Sequence, residues 1–215
     1  MKNVFLLPDV AQSYDAYYKT ETGKQIDVIE KNVLKTLLQD VVRGEMLELG
    51  CGTGHWTQFF AGLGFDVTAI DNSRAMLERA STKKIKATFR EANAQNLPFD
   101  DEAFGIVASV TMLEFVDNQE QVLAEMMRVL KPGGYLLLGC LNADSVLGKN
   151  KQNDDTFREA DFFTKDQLYK KLEHIGKVRY KCGVYMNNEF SVLDAQTDKQ
   201  NTEPVFIGAL VHKNF

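Results

Sequence analysis

The stretch Met46-Leu47-Glu48-Leu49-Gly50-Cys51-Gly52-Thr53-Gly54 decides how the rest of the chain is read. A short, largely apolar run of strand character enters three glycines spaced by single residues, and helical character resumes at His55. Without a Cβ, the backbone can turn sharply there and a ligand can lie directly on it. The helix that follows offers unpaired N–H groups and the positive end of its dipole, which suits a carboxylate.

Upstream, residues 24–43 read as an amphipathic helix. Ile26, Ile29, Val33, Leu37 and Val41 fall near helical spacing, Leu34 and Leu38 widen the stripe, and Gly44 is placed to end it. Downstream, residues 55–63 read as a helix, Phe65 to Ile70 as a strand ending at Asp71, and 73–82 as a helix. Ala87 to Arg90 and Phe104 to Val110 read as strands, and 118–130 as a helix with Val122, Met126 and Val129 on one face. Lys131-Pro132-Gly133-Gly134 reads as a turn into a fifth strand, Tyr135 to Leu141. Strands alternating with helices over residues 45–141 predict βαβ units and a parallel sheet, so the fold class is α/β with helices on both faces. Beyond Leu141 the rhythm loosens: 142–163 is polar and irregular, 165–175 helical, 177–185 and 204–212 strand-like, and 186–203 loop-like. No composition shift marks a second large domain, so residues 1–215 are expected to form one domain, with 142–203 supplying loops over one face of the sheet.

The spacing of the glycines bears on the ligand. A dinucleotide loop of the form GxGxxG would require glycine at position 55, where the chain has His55; the third glycine arrives one residue early, at Gly54. Asp71 lies 21 residues beyond Gly50 at a predicted strand end, where a carboxylate can accept from both hydroxyls of a ribose; the structural alternative is a helix cap before Asn72 and Ser73.

Bulk composition narrows the classes. Hydrophobic residues make up 44% and charged residues 26%, the balance of a soluble globular protein. The net charge of −5 implies no phosphate-neutralising surface, so nucleic acid is not an expected partner. Cys51, Cys140 and Cys182 are odd in number and form no CxxC pair, which argues against a disulfide framework and a metal site and fits a reducing cytoplasm. No run approaches the roughly 18 apolar residues of a membrane span.

Four blocks in order then carry a resemblance. Residues 46–54 resemble motif I of class I S-adenosylmethionine-dependent methyltransferases. Ala69-Ile70-Asp71-Asn72-Ser73 is similar to their ribose block, Ala92-Asn93-Ala94-Gln95-Asn96-Leu97-Pro98-Phe99 to their adenine block, and Arg128-Val129-Leu130-Lys131-Pro132-Gly133-Gly134 to their late turn. The nearest resemblance is to the small-molecule type-11 enzymes, including those of ubiquinone and menaquinone biosynthesis. It implies a Rossmann-like, seven-stranded, mostly parallel sheet with an antiparallel last strand. It also implies S-adenosylmethionine as cofactor, S-adenosylhomocysteine as product, and a small-molecule methyl acceptor as partner.

The resemblance assigns roles by position. Glu48, Gly50, Cys51, Gly52 and Gly54 would lie along the methionine part of the cofactor. Asp71 and Asn72 would hold the ribose, Met76 would pack near the adenine, and Asn93 and Ala94 would face the ring. Asn93 stands where the family usually has Asp; its side-chain oxygen still accepts from an amine, without charge assistance. Thr111 follows the fourth strand, near the methionine amino group. Ser13-Tyr14-Asp15-Ala16-Tyr17-Tyr18 resembles the lead helix that covers the cofactor, which makes residues 1–23 an expected lid and Tyr14 and Tyr18 candidate contacts. Gly105 replaces a common Asp, and Phe115 a common His, so no catalytic residue transfers.

In-line placement of an acceptor beside an activated methyl is the main chemical task, and a base is needed only where the acceptor must lose a proton. Tyr18, Glu114 and Asn142 are the expected acceptor contacts, with residues 184–190 and 158–163 shaping the pocket. His55, His174 and His212 read as structural or surface residues, and Phe162 and Phe163 as packing anchors. A non-catalytic cofactor-binding regulator, and a methyltransferase acting on RNA or protein, are the alternative functions.

Overall fold

A computed structural model describes residues 3–194 and 202–214. Seven strands form one sheet: β1 (Glu45–Leu49), β2 (Asp66–Asp71), β3 (Ala87–Glu91), β4 (Phe104–Val110), β5 (Leu130–Leu141), β6 (Gly176–Gly183) and β7 (Phe206–Lys213). Their order is β3-β2-β1-β4-β5-β7-β6. All pairings among β1 to β5 are parallel, and β7 runs antiparallel to both neighbours. The helices are α1 (Pro8–Tyr17), α2 (Glu21–Leu37), α3 (His55–Gly62), α4 (Arg74–Thr82), α5 (Gln119–Val129), α6 (Val146–Asn150) and α7 (Lys165–Leu172).

Alternation along the strands splits the core in two. Met46 packs on one face of the sheet with Leu34, Leu37 and Phe60 of α2 and α3, while Leu47 and Leu49 pack on the other with Val122, Met126 and Leu168 of α5 and α7. Both layers exclude water from apolar area worth roughly 25 cal/mol per Å². A buried truncation such as Leu34→Ala, at a fully enclosed position, therefore costs about 2–5 kcal/mol.

Two boundaries differ from the sequence expectation. The helix expected over 24–43 begins at Glu21, because Thr20 Oγ1 accepts from the Gly23 N–H at 3.0 Å, and ends at Leu37. Beyond it the chain turns, and the Arg43 guanidinium donates to the Leu38 and Val41 carbonyls, which a longer helix would have paired internally, and to the Leu63 carbonyl at the end of α3. The second concerns residues 131–134, expected as a turn before the fifth strand. They lie inside β5, as an insertion between the Phe104–Leu130 and Ile106–Tyr135 pairs.

Chain order along the sheet reverses between β1 and β4. In open α/β sheets the crevice beyond the carboxyl ends of strands at such a point is where ligands bind. Leu49 pairs with Ile70 on one side and Ser109 on the other, so Gly50, Asp71 and Thr111 emerge side by side.

Candidate active site

A cavity of about 990 Å³ opens at these strand ends. Its floor is the glycine loop. Gly50 and Cys51 donate to the Ile70 carbonyl at 2.8 and 2.9 Å, which locks the loop onto β2. Gly50, at φ +71°, has no room for a side chain: a Cβ would come within 2.2 Å of Met112 Cγ. Gly52, at φ +52°, would place its Cβ in open space, with Met76 Sδ the nearest atom at 4.0 Å. Gly52 is thus a cradle where a ligand can lie on bare backbone.

Asp71 frames the next wall. Its Oδ2 accepts from Gly52 N–H and its Oδ1 from Ser73 N–H, both at 2.8 Å. An ionised carboxylate has about four acceptor sites, so beside these donors and the Asn72 N–H it keeps room to accept from a ligand hydroxyl. Burial raises the Asp71 carboxyl, and these main-chain donors oppose the rise. Asn72, Met76, Asn93 and Ala94 continue the wall, and Thr111 closes it beyond β4. Asn93 Oδ1 accepts from Gln95 N–H at 2.9 Å in an Asx turn, and an amide oxygen has a second lone pair to offer. Thr111 sits at φ +49°, a strained conformation for a β-branched residue, held by its N–H to the Gly139 carbonyl at 2.7 Å.

The opposite end is aromatic. Tyr14 and Tyr17 of α1 and Tyr18 at its C-terminal cap line it with Trp56, Phe115 and Phe157. Phe5 packs edge-on against both Tyr14 and Phe115, and Tyr18 stacks on His55 at 3.6 Å. His55 Nε2 lies 2.6 Å from Asp27 Oδ1, and burial holds its pKa below the usual histidine value.

Several expected site residues lie elsewhere. Glu114, expected at the acceptor, is fully buried outside the cavity wall; its Oε1 accepts from Leu141 N–H at 2.6 Å, tying the turn after β4 to the end of β5. Burial pushes its carboxyl up to about 7. Asn142, expected there too, is also fully buried, and donates to the Pro204 carbonyl at 2.8 Å while accepting from Asp144 N–H. Both positions follow strand ends but point into packed loop, and sequence position alone does not give that direction. Glu48 and Gly54 are likewise off the cavity wall. Burial pushes the Glu48 carboxyl up to about 8, with Oε2 lacking a hydrogen-bond partner among the described residues. Gly54 precedes α3 and faces Ile85, Ala80 and Phe89. Of the expected pocket-shaping segments, 184–190 contributes Val184, Met186 and Phe190 to the wall, while Phe162 and Phe163 are buried as packing anchors. His174 is exposed, and His212 Nε2 lies 3.1 Å from the Gly133 carbonyl.

Sequence reasoning missed three groups. Asp15 of α1 accepts from Thr53 Oγ1 at 2.7 Å and Lys83 Nζ at 2.8 Å, clasping the N-terminal helix to the glycine loop. Arg128, inside the late turn block, donates to the Leu97 and Phe99 carbonyls and pairs with Glu125 and Asp101, so α5 holds the 92–99 loop in place. Glu30 lines the cavity from α2. The first two bridge segments far apart in sequence, and the Asp15 within the tyrosine motif was the only local signal for the clasp. Glu30 read simply as a polar position of an amphipathic helix.

A glycine cradle, a ribose-competent acid and a seven-stranded sheet of this order define a Rossmann-like methyltransferase. Residues 47–138, somewhat under half of the chain, match the sequence model of a family described as a methyltransferase domain. It is 29% identical to an uncharacterized protein of Methanocaldococcus jannaschii, over 86% of each chain. It is 32% identical to a malonyl-[acyl-carrier protein] O-methyltransferase of Pectobacterium atrosepticum, over 50% of this chain and 42% of that one. The chain spans about half the length of the malonyl-[acyl-carrier protein] O-methyltransferases it matches. Among solved structures, a Thermotoga maritima S-adenosylmethionine-dependent methyltransferase, described as a possible histamine N-methyltransferase, superposes with a TM-score of 0.77 at 26% identity. The match covers 97% of this chain and 99% of that one.

Proposed function

We propose that the protein transfers the methyl group of S-adenosylmethionine to a small-molecule acceptor bound in the aromatic end of the same cavity. The observation that carries this reading is one continuous space joining the open Gly52 backbone and Asp71 to the tyrosines of α1. Its volume of about 990 Å³ lies at the upper end of the ~300–1,000 Å³ typical of ligand pockets, which suits a cofactor and acceptor together.

When bound, the cofactor supplies an already activated sulfonium methyl. The chain's residues do the placing. Asp71 would accept from the ribose hydroxyls in the room left beside its main-chain donors. The Gly52 backbone would meet the methionine portion, Met76 would pack against the adenine, and Asn93 and Ala94 would bound the ring. The segment carrying Tyr14 and Tyr18, held shut by Asp15, Thr53 and Lys83, would exclude water and orient the acceptor. Proximity and orientation of this kind are worth roughly 7–11 kcal/mol. The Thermotoga protein's description as a possible histamine N-methyltransferase supports a small acceptor. Three free cysteines support a reducing, cytoplasmic setting. No helix among the described residues is long and apolar enough to cross a membrane.

Calorimetric titration with S-adenosylhomocysteine and with NAD tests the cofactor. Binding of the first and not the second is expected; binding of NAD alone overturns the reading.

A further inference from the structure

The aromatic end of the cavity holds a buried carboxyl group that, among the described residues, makes no hydrogen bond to the glycine loop or Asp71. Glu30 lies one turn beyond Ile26 on α2, is 7% exposed and lines the cavity. Among the described residues, no hydrogen bond or ion pair reaches its side chain. The adjacent Lys31 does not serve it: that ammonium pairs with Asp27 at 2.7 Å. Burial, with the charges of Asp27 and Glu114, pushes the Glu30 carboxyl up to about 8. Burial raises the phenols of Tyr14, Tyr17 and Tyr18 and the Glu30 charge adds to each rise, so these rings and the carboxylate share one neighbourhood.

With no partner among the described residues the Glu30 carboxyl favours its protonated form, and a cation arriving with a ligand favours the ionised one. The rest of the wall favours the same sign. Asp71, Asp117, Asp154 and Asp155 line the cavity, and among the described residues no lysine or arginine does. His55 is turned onto Asp27, and burial holds its pKa below the usual histidine value. An acceptor bearing a carboxylate or phosphate would meet no lysine or arginine among the described residues of the wall. A cation meets the carboxylate among tyrosine and tryptophan side chains, where a ring face within reach is worth about 0.5–2 kcal/mol.

We propose that the acceptor is an amine that enters as an ammonium ion, and that Glu30 pairs with it and takes its proton. This deepens the methyl-transfer reading and rests on it. The ammonium gives one proton to the Glu30 carboxylate, which frees the nitrogen lone pair. The nitrogen then attacks the sulfonium methyl carbon: an N–C bond forms and the C–S bond breaks, its electron pair staying on sulfur to leave a neutral thioether. The methylated nitrogen carries the positive charge, and the Glu30 proton passes to water as product leaves.

The test measures S-adenosylhomocysteine formation with alkyl and arylalkyl amines, each set beside its isosteric alcohol and carboxylate, for the native protein and Glu30→Gln. Turnover confined to amines is expected. In Glu30→Gln, kcat/KM for the amine should fall about 10²-fold or more, while S-adenosylhomocysteine affinity stays within twofold and amine-over-alcohol selectivity disappears. Glu30→Asp, which keeps the charge, should recover part of the loss. Calorimetry of the same amines on the S-adenosylhomocysteine complex gives a readout independent of turnover, and binding is expected there. Amine binding absent from that complex, alcohols or carboxylates methylated while amines are inert, or Glu30→Gln matching the native rate would each overturn the proposal. Failure of native protein to bind S-adenosylhomocysteine would overturn the methyl-transfer reading beneath it.

Discussion

Gly50 and Gly52 look alike in sequence and do different work. At Gly50 a Cβ would strike Met112, while at Gly52 it would project into the cavity. Gly50→Ala should therefore lose about 2 kcal/mol or more of stability, from positive-φ strain plus the clash. Gly52→Ala should cost only about 1–2 kcal/mol of strain yet weaken S-adenosylhomocysteine binding at least tenfold. Thermal melting and calorimetry on the two variants separate the effects, and equal affinity in Gly52→Ala would remove that residue from the site. At Asp71, replacement by Asn leaves either Gly52 N–H or Ser73 N–H facing an amide NH₂. An unpaired donor costs about 1–3 kcal/mol, so Asp71→Asn should melt earlier and bind S-adenosylhomocysteine at least tenfold more weakly. The loop and Asp71 were legible because backbone geometry and strand position leave marks in sequence. Glu114 and Asn142 were not: whether a residue after a strand points into a cavity or into packed loop depends on chains that arrive from elsewhere.

Elements were read well in their interiors and less well at their ends. The stripe of α2 was visible, but its N-terminus depends on the Thr20 cap and its C-terminus on Arg43 reaching across to Leu63. The attachment of α1 depends on contacts 38 and 68 residues away in sequence, from Asp15 to Thr53 and to Lys83. Asp15 is lowered below the usual carboxylate range by the Lys83 and Thr53 hydrogen bonds, which outweigh its desolvation. Asp15→Ala should speed hydrogen exchange over residues 8–17 and raise the S-adenosylhomocysteine Kd several-fold. Because the Asp15–Lys83 pair is only partly buried, its loss should cost no more than about 1 kcal/mol of global stability. Unchanged exchange in α1 would show that aromatic packing alone holds it.

Across the whole molecule, three buried acids set the response to pH. Burial pushes Glu30 and Glu48 up to about 8 and Glu114 up to about 7. Unfolded, each ionises near 4.3. The native state thus holds protons the unfolded state has released, and stability is lost as pH rises from about 4.5 through 8. The ligand-free protein should melt at lower temperature at pH 8.5 than at pH 6, with Glu30→Gln flattening the slope. One such group contributes on the order of 1 kcal/mol per pH unit. A native melting temperature that does not fall over this window would mean that water or rearrangement solvates these carboxylates.

By itself, the sequence determined the sheet's parallel core, the glycine loop and the position of Asp71. These are local: periodicity, backbone freedom and strand order act over a few dozen residues and are written in consecutive letters. The chemistry of the acceptor end was decided only by the tertiary structure. Glu30, Tyr18, Trp56 and Val184 come from different elements, and they meet because α1 and the N-terminal half of α2 line the cavity at the carboxyl ends of the strands. A side chain's burial, and whether a partner remains within reach of its charge, are properties of that meeting and of no single segment.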